Sequence, residues 1–79
     1  MYDRRLEAIV AAAEQGSFSK AAAKLHLSTP SLAKQIETFE AEHGIALFER
    51  SHHGVSLTPA GASLVEDARA VMRLSSDSL

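Results

Sequence analysis

A mainly α fold carrying one small β-hairpin is what these 79 residues predict, on three observations. Four stretches repeat apolar residues at helical spacing, about three residues separate the second stretch from the third, and two short β-prone runs flank a turn-rich tetrapeptide. A chain of this length builds one core, which argues against an enzyme with a deep, walled cavity.

In the first helix, expected over about residues 4–15, Leu6, Ile9, Val10 and Ala13 recur at i, i+3, i+4, i+7, with Asp3 as N-cap and Gly16 beyond the end. Phe18, Ala21, Ala22 and Leu25 repeat that spacing in a short second helix, for which Ser19 is the expected cap and Phe18 the staple residue before it. After His26, Leu27 and Ser28, Thr29-Pro30 opens a third helix, because proline's preset φ and missing donor suit a first turn. Leu32, Ile36 and Phe39 share one side of it. Pro30, Lys34, Glu37 and Thr38 point away, with Ser31 and Ala33 flanking. Gly44 suits its C-terminal cap.

Leu47-Phe48-Glu49-Arg50 and Val55-Ser56-Leu57 read as strands around the turn Ser51-His52-His53-Gly54. Thr58-Pro59 repeats the cap-and-proline start, and Leu64, Val65, Ala68, Val71 and Met72 form a stripe on a last helix reaching about Leu74. Residues 1–58 are thus expected to form the helical unit with its wing, and 59–79 a linker helix.

Composition narrows the function classes. With 46% hydrophobic and 23% charged residues, neither a disordered nor a fibrous protein fits. The absence of cysteine removes disulfides, thiolate zinc sites and cysteine nucleophiles together, and suits a reducing cytoplasm. The longest apolar run, Ile9-Val10-Ala11-Ala12-Ala13, is far below the ~20 residues of a membrane span, and no leader-like segment opens the chain. A cytoplasmic protein without membrane contact is expected. Net charge is −2, but the charges are segregated: Ser17 to Ile36 holds Lys20, Lys24 and Lys34 with no acid (+3), and Glu37 to Glu49 holds Glu37, Glu40, Glu42 and Glu49 with no Lys or Arg (−4). Arg50, His52 and His53 follow, so positive potential gathers at two places, although a merely solvated face would be charged in the same way.

Two helices joined by about three residues cross steeply, and a third helix with a free polar face then fits the ~12 Å major groove of DNA. The N-terminal end of such a helix needs small or hydrogen-bonding residues, since bulk there would hold the backbone off the base edges. Thr29, Pro30, Ser31 and Ala33 meet that need, and Ser28 just before them is a further candidate DNA contact. Lys34, one turn on, reaches a guanine edge or a phosphate, while Ser17, Ser19 and Lys20 suit phosphates at the start of the second helix. On spacing alone, a small helical bundle whose serines only cap helices remains the competing reading.

The residues add more than the spacing. Gly16-Ser17-Phe18, Ala21-Ala22 with Leu25, Ser28 with Pro30, Lys34-Gln35-Ile36, and then Glu40, Gly44, Leu47-Phe48 with Arg50 and Leu57-Thr58 with Gly61 fall in the order of a known pattern. From about Leu6 to Ala68 the chain resembles the N-terminal winged helix-turn-helix domain of LysR-type transcriptional regulators. The resemblance implies a bacterial regulator that binds a double-stranded DNA operator as a homodimer. It puts the third helix in the major groove and the wing, with Arg50, His52 and His53, along the flanking backbone and minor groove. It also implies that the last helix pairs two subunits through Leu64, Val65, Ala68, Val71 and Met72. A larger C-terminal domain, which takes a small-molecule inducer in that family, lies outside these residues, so no effector site is expected within them. Thr29 stands where that family usually has Gln and Ala33 where it has Ser, which shortens two potential base contacts. His52 and His53 occupy a wing that usually offers Arg or Lys. Ile9 and Phe39 replace a common Phe and Leu, as compensating core volumes would.

Two other classes compete. A winged helix also serves as a protein-interaction module that never touches DNA, and the acidic balance favours that alternative. An enzyme would need convergent reactive groups, and His26, His43, His52 and His53 include no i, i+4 pair; no glycine-rich phosphate cradle or nucleophile elbow is present. No catalysis, cofactor or metal is expected, and His52-His53 reads as a phosphate neighbour.

Overall fold

The computed structural model describes residues 3–77. In chain order come α1 (Arg5–Gln15), α2 (Phe18–Lys24), α3 (Thr29–His43), β1 (Phe48–Ser51), β2 (Gly54–Leu57) and α4 (Pro59–Asp77). The class is the expected one, mostly helical with a two-stranded antiparallel hairpin. The final two residues of the 59–79 segment lie outside the described residues. Among the described residues no helix is long and apolar enough to cross a membrane.

The position before α1 is Arg4, which makes no side-chain cap. The Asp3 carboxylate does the work from one residue further out, accepting the Arg5 amide at 2.9 Å and its guanidinium at 2.6 Å. That guanidinium also donates to Glu42 at 2.8 Å, joining the start of α1 to the end of α3. Hydrogen bonds from Arg5 hold the carboxyls of both Asp3 and Glu42 below the ordinary carboxylate range. The cap of α2 is Ser17, not Ser19: its Oγ accepts the Lys20 amide at 3.2 Å, and Phe18 is already the first helical residue. The chain leaves α1 through left-handed Gly16, which puts Ser17 in the extended conformation that a cap requires (φ −160°, ψ 133°). Ser28 caps α3 by accepting the Ser31 amide, with Pro30 in the first turn. Between α2 and α3 the chain reverses through His26 at φ +60°.

Helix α1 lies centrally and packs on α2, α3 and α4. Ile9, Leu32, Ile36 and Leu47 are the largest fully buried side chains, set among Ala8, Ala11, Ala12, Ala21 and Ala22. Alanines at these positions let the helix backbones approach closely. Ile9 and Phe39 both sit in the core, the first wholly buried and the second nearly so. The hairpin pairs Phe48 with Leu57 through to Ser51 with Gly54, which leaves His52-His53 as a two-residue turn. Its limits differ from those expected. Leu47 drops out of the strand because its side chain is fully buried and its amide donates to the Glu40 carboxylate at 2.7 Å, while Ser51 and Gly54 join the ladder.

Thr58 organises the start of α4. Its hydroxyl accepts the Gly61 amide at 3.0 Å and donates to the Ala46 carbonyl at 2.6 Å. The helix then runs to Asp77 rather than stopping near Leu74, since backbone hydrogen bonding continues where the apolar stripe ends. The stripe itself splits. Val65 and Ala68, expected at a subunit contact, are each 2% exposed within the chain's own core, because α1 leaves a face that α4 covers. Leu64 and Met72 pack partly against that core, and Val71, at 40% exposure, faces outward.

Gly61 sits against the loop before the hairpin: a Cβ built there would lie 2.2 Å from the Leu47 carbonyl oxygen. Gly61→Ala must push α4 off the loop it caps, and is expected to lower the unfolding free energy by ~1–3 kcal/mol, the usual cost of overpacking. A urea unfolding curve reads this directly; a midpoint equal to the wild type's would contradict the close seat.

Candidate nucleic-acid interface

The start of α2, the start of α3 and the hairpin meet around an open cleft of about 330 Å³. It is lined by Ser17 and Phe18 from α2 and its cap, Thr29, Pro30 and Ala33 from α3, and Arg50, Ser51, Gly54 and Val55 from the hairpin. Backbone contact fixes this arrangement. The Val55 amide donates to the Gly16 carbonyl at 3.1 Å, and Gly54, at φ +113°, comes so near that an added Cβ would lie 2.3 Å from the same oxygen. The hairpin is therefore seated on the turn between α1 and α2.

Along α3 the division of faces follows the expected spacing. Leu32, Ile36 and Phe39 are buried, whereas Thr29, Pro30, Ser31 and Lys34 are exposed and Ala33 is half-buried. Ser28, at the entry, is exposed, but its hydroxyl is committed: it accepts the Ser31 amide and donates to Ser31 Oγ at 2.9 Å. The first two turns of α3 thus offer the Thr29 hydroxyl, methyl and methylene surface from Thr29, Pro30 and Ala33, and three ammonium donors on Lys34. That set suits thymine methyls and guanine acceptors in a major groove. Nearby, Ser17 Oγ lies 3.1 Å from Ser19 Oγ, and Lys20 is exposed. Lys24, by contrast, turns to Glu14, which it meets at 3.4 Å; Glu14 also receives Arg69 at 3.6 Å.

The acidic stretch that follows is largely occupied elsewhere. Glu40 accepts the Leu47 amide and Glu42 binds Arg5, both away from the outward face of α3. Glu37 instead pairs with Arg50 at 3.3 Å. The Arg50 guanidinium lies 4.6 Å above the Phe18 ring, which meets Phe48 edge-on with centroids 5.6 Å apart. Sequence reasoning placed Arg50 in the wing but missed Phe18 as its platform and Glu37 as its partner. No local signal links the three positions; only the seating of the hairpin brings them together. His52 and His53 are exposed at the tip.

Known proteins are similar to this chain in sequence and in fold. Residues 4–62 match the family model described as bacterial regulatory helix-turn-helix protein, lysR family. The HTH-type transcriptional regulator TfdS of Cupriavidus pinatubonensis (strain JMP 134) is 51% identical over 71 residues, which make up 90% of this chain and 24% of TfdS. A crystal structure of the CbnR DNA-binding domain in complex with DNA superposes with a TM-score of 0.90 at 42% identity, covering 99% of this chain and 90% of that one. The corresponding BenM domain, solved with benA site 1 DNA, gives a TM-score of 0.91 at 38% identity, covering 98% and 86%. The chain spans about a quarter of the length of the full regulators it matches.

Proposed function

The chain belongs to the LysR family of bacterial regulatory helix-turn-helix proteins, and we propose that it binds double-stranded operator DNA as part of a homodimer. The observation that carries this reading is the outward face of α3: Thr29, Pro30, Ser31 and Lys34 stand clear of the chain's own core, and Lys20 in α2 is exposed as well. Domains of the same fold at 42% and 38% identity have been solved on DNA, which supports the reading.

In the bound state Thr29, Ser31 and Lys34 face base edges, and Pro30 and Ala33 present apolar surface to the groove. Ser17, Ser19, Lys20 and Arg50 lie along phosphates, positioning the helix without reading sequence, while Ser28 serves the interface by capping α3 and holding Ser31. His52 and His53, at the hairpin tip, follow the flanking backbone towards the minor groove. The dimer forms through the outward side of α4 around Val71, since Val65 and Ala68 serve the chain's own core. The chain acts by binding and not by catalysis, and needs no cofactor. Its setting is the bacterial cytoplasm, and the small-molecule response belongs to parts of the regulator that this chain does not span.

Selecting bound duplexes from a random pool tests the reading and returns the half-site. On the selected duplex, affinity falls steeply as salt rises, because phosphate contacts release counterions; an apolar protein-interaction surface would be insensitive. Lys34→Ala is expected to cost ~1–3 kcal/mol on that site, as loss of a base contact does, and unchanged affinity would remove Lys34 from the contact. Val71→Asp should raise the concentration at which sedimentation detects dimers; an unaltered monomer–dimer profile places the subunit contact elsewhere.

A further inference from the structure

Arg50 is held in place before any ligand arrives. Phe18 comes from the start of α2, Glu37 from α3 one turn past Lys34, and Arg50 from β1, so three elements converge on one cation. Phe48 braces the Phe18 ring from behind, at an interplanar angle of 90°. The Arg50 and Glu37 side chains are 59% and 61% exposed, so solvent screens the pair and it contributes little to stability. Its importance lies in where it sits. Of Glu37, Glu40 and Glu42, only Glu37 meets its partner at the edge of the face that turns outward from α3.

We propose that Glu37 is a specificity-determining counter-charge for Arg50. A guanidinium stacked on a braced aromatic ring keeps its position, and while Glu37 occupies a donor the pair adds no net positive charge to the field that draws the domain to any duplex. The Glu37 carboxylate takes one of the guanidinium's N–H donors and leaves the others open, so a backbone phosphate competes with Glu37 for the Arg50 charge and gains all of it only by displacing that carboxylate. That exchange needs the phosphate at the mouth of the cleft, which happens when α3 is seated in the groove. Loose association leaves the pair closed. Glu37 thereby weakens binding to arbitrary DNA more than binding to a fitted site. The inference rests on the DNA-binding reading of the same face.

The test is a salt titration of the whole chain between 50 and 200 mM, on a selected duplex and on a random-sequence duplex, for wild type, Glu37→Gln, Arg50→Gln and the double variant. Glu37→Gln is expected to tighten binding to the random duplex and to steepen its plot of log affinity against log salt by about 0.9 per subunit, roughly 3.5-fold more weakening across that range. The ratio of selected-site to random-duplex affinity falls. In the Arg50→Gln background the same step is much smaller, because no paired cation remains to be released. Wild-type slope and ratio in Glu37→Gln would overturn the proposal. So would an equal step in both backgrounds, which makes Glu37 a direct repeller of phosphate, or a loss confined to the selected site, which makes it an acceptor for a base. Failure of the wild type to bind either duplex sinks the DNA-binding reading as well, and is recognised without any variant.

Discussion

Burial of one side of α3 is the constraint from which the rest of the structure follows. Leu32, Ile36 and Phe39 fill the space left by the small side chains of Ala8, Ala11, Ala12, Ala21 and Ala22. Burying three such residues is worth on the order of 5–9 kcal/mol, comparable to the whole stability of a small domain. Rotating α3 by one residue step would forfeit most of that. The helix therefore has one permitted rotation, and in it Thr29, Pro30, Ser31 and Lys34 face outward. The outward face is a by-product of packing.

The hairpin is fixed by different means. Its position depends on backbone groups: the Val55 amide on the Gly16 carbonyl, Gly54 against that same oxygen, the Thr58 amide on the Leu47 carbonyl and the Thr58 hydroxyl on that of Ala46. Contacts of this kind tolerate many side chains but few changes of backbone. A turn such as His52-His53 can vary at the tip while the angle between hairpin and α3 stays the same. Charge is handled in a similar way. On a chain of net charge −2, Glu40 and Glu42 are drawn into structural bonds away from the outward face of α3, so Lys34 stands exposed on that face of an acidic protein.

How much of this was legible in the sequence depended on whether the signal was local. The four helices and the hairpin were visible because apolar periodicity, Pro30, Pro59 and the capping glycines are encoded within each segment. The cap of α2 was misplaced by two residues because Ser17 and Ser19 are chemically identical, and only the backbone leaving Gly16 decides between them. Leu47 looked like a strand residue, since an apolar side chain beside Phe48 reads the same whether it extends a ladder or plugs a core. The stripe on α4 concealed two roles: Val65 and Ala68 cover α1, while Val71 sits far enough round the helix to face outward. Periodicity alone cannot tell a face that meets its own chain from one that meets another. The cluster of Phe18, Glu37 and Arg50 was invisible for the same reason, being assembled from three separate segments.

The central claim, that the outward face of α3 enters a major groove, is tested most directly by dimethyl sulfate protection on a duplex selected from a random pool. The reagent reads guanine N7 in the major groove and adenine N3 in the minor groove. The account predicts protection of guanine N7 in two half-sites about one helical turn apart or a multiple of it. Uniform reactivity at N7 in the bound duplex, with protection limited to adenine N3, would contradict it.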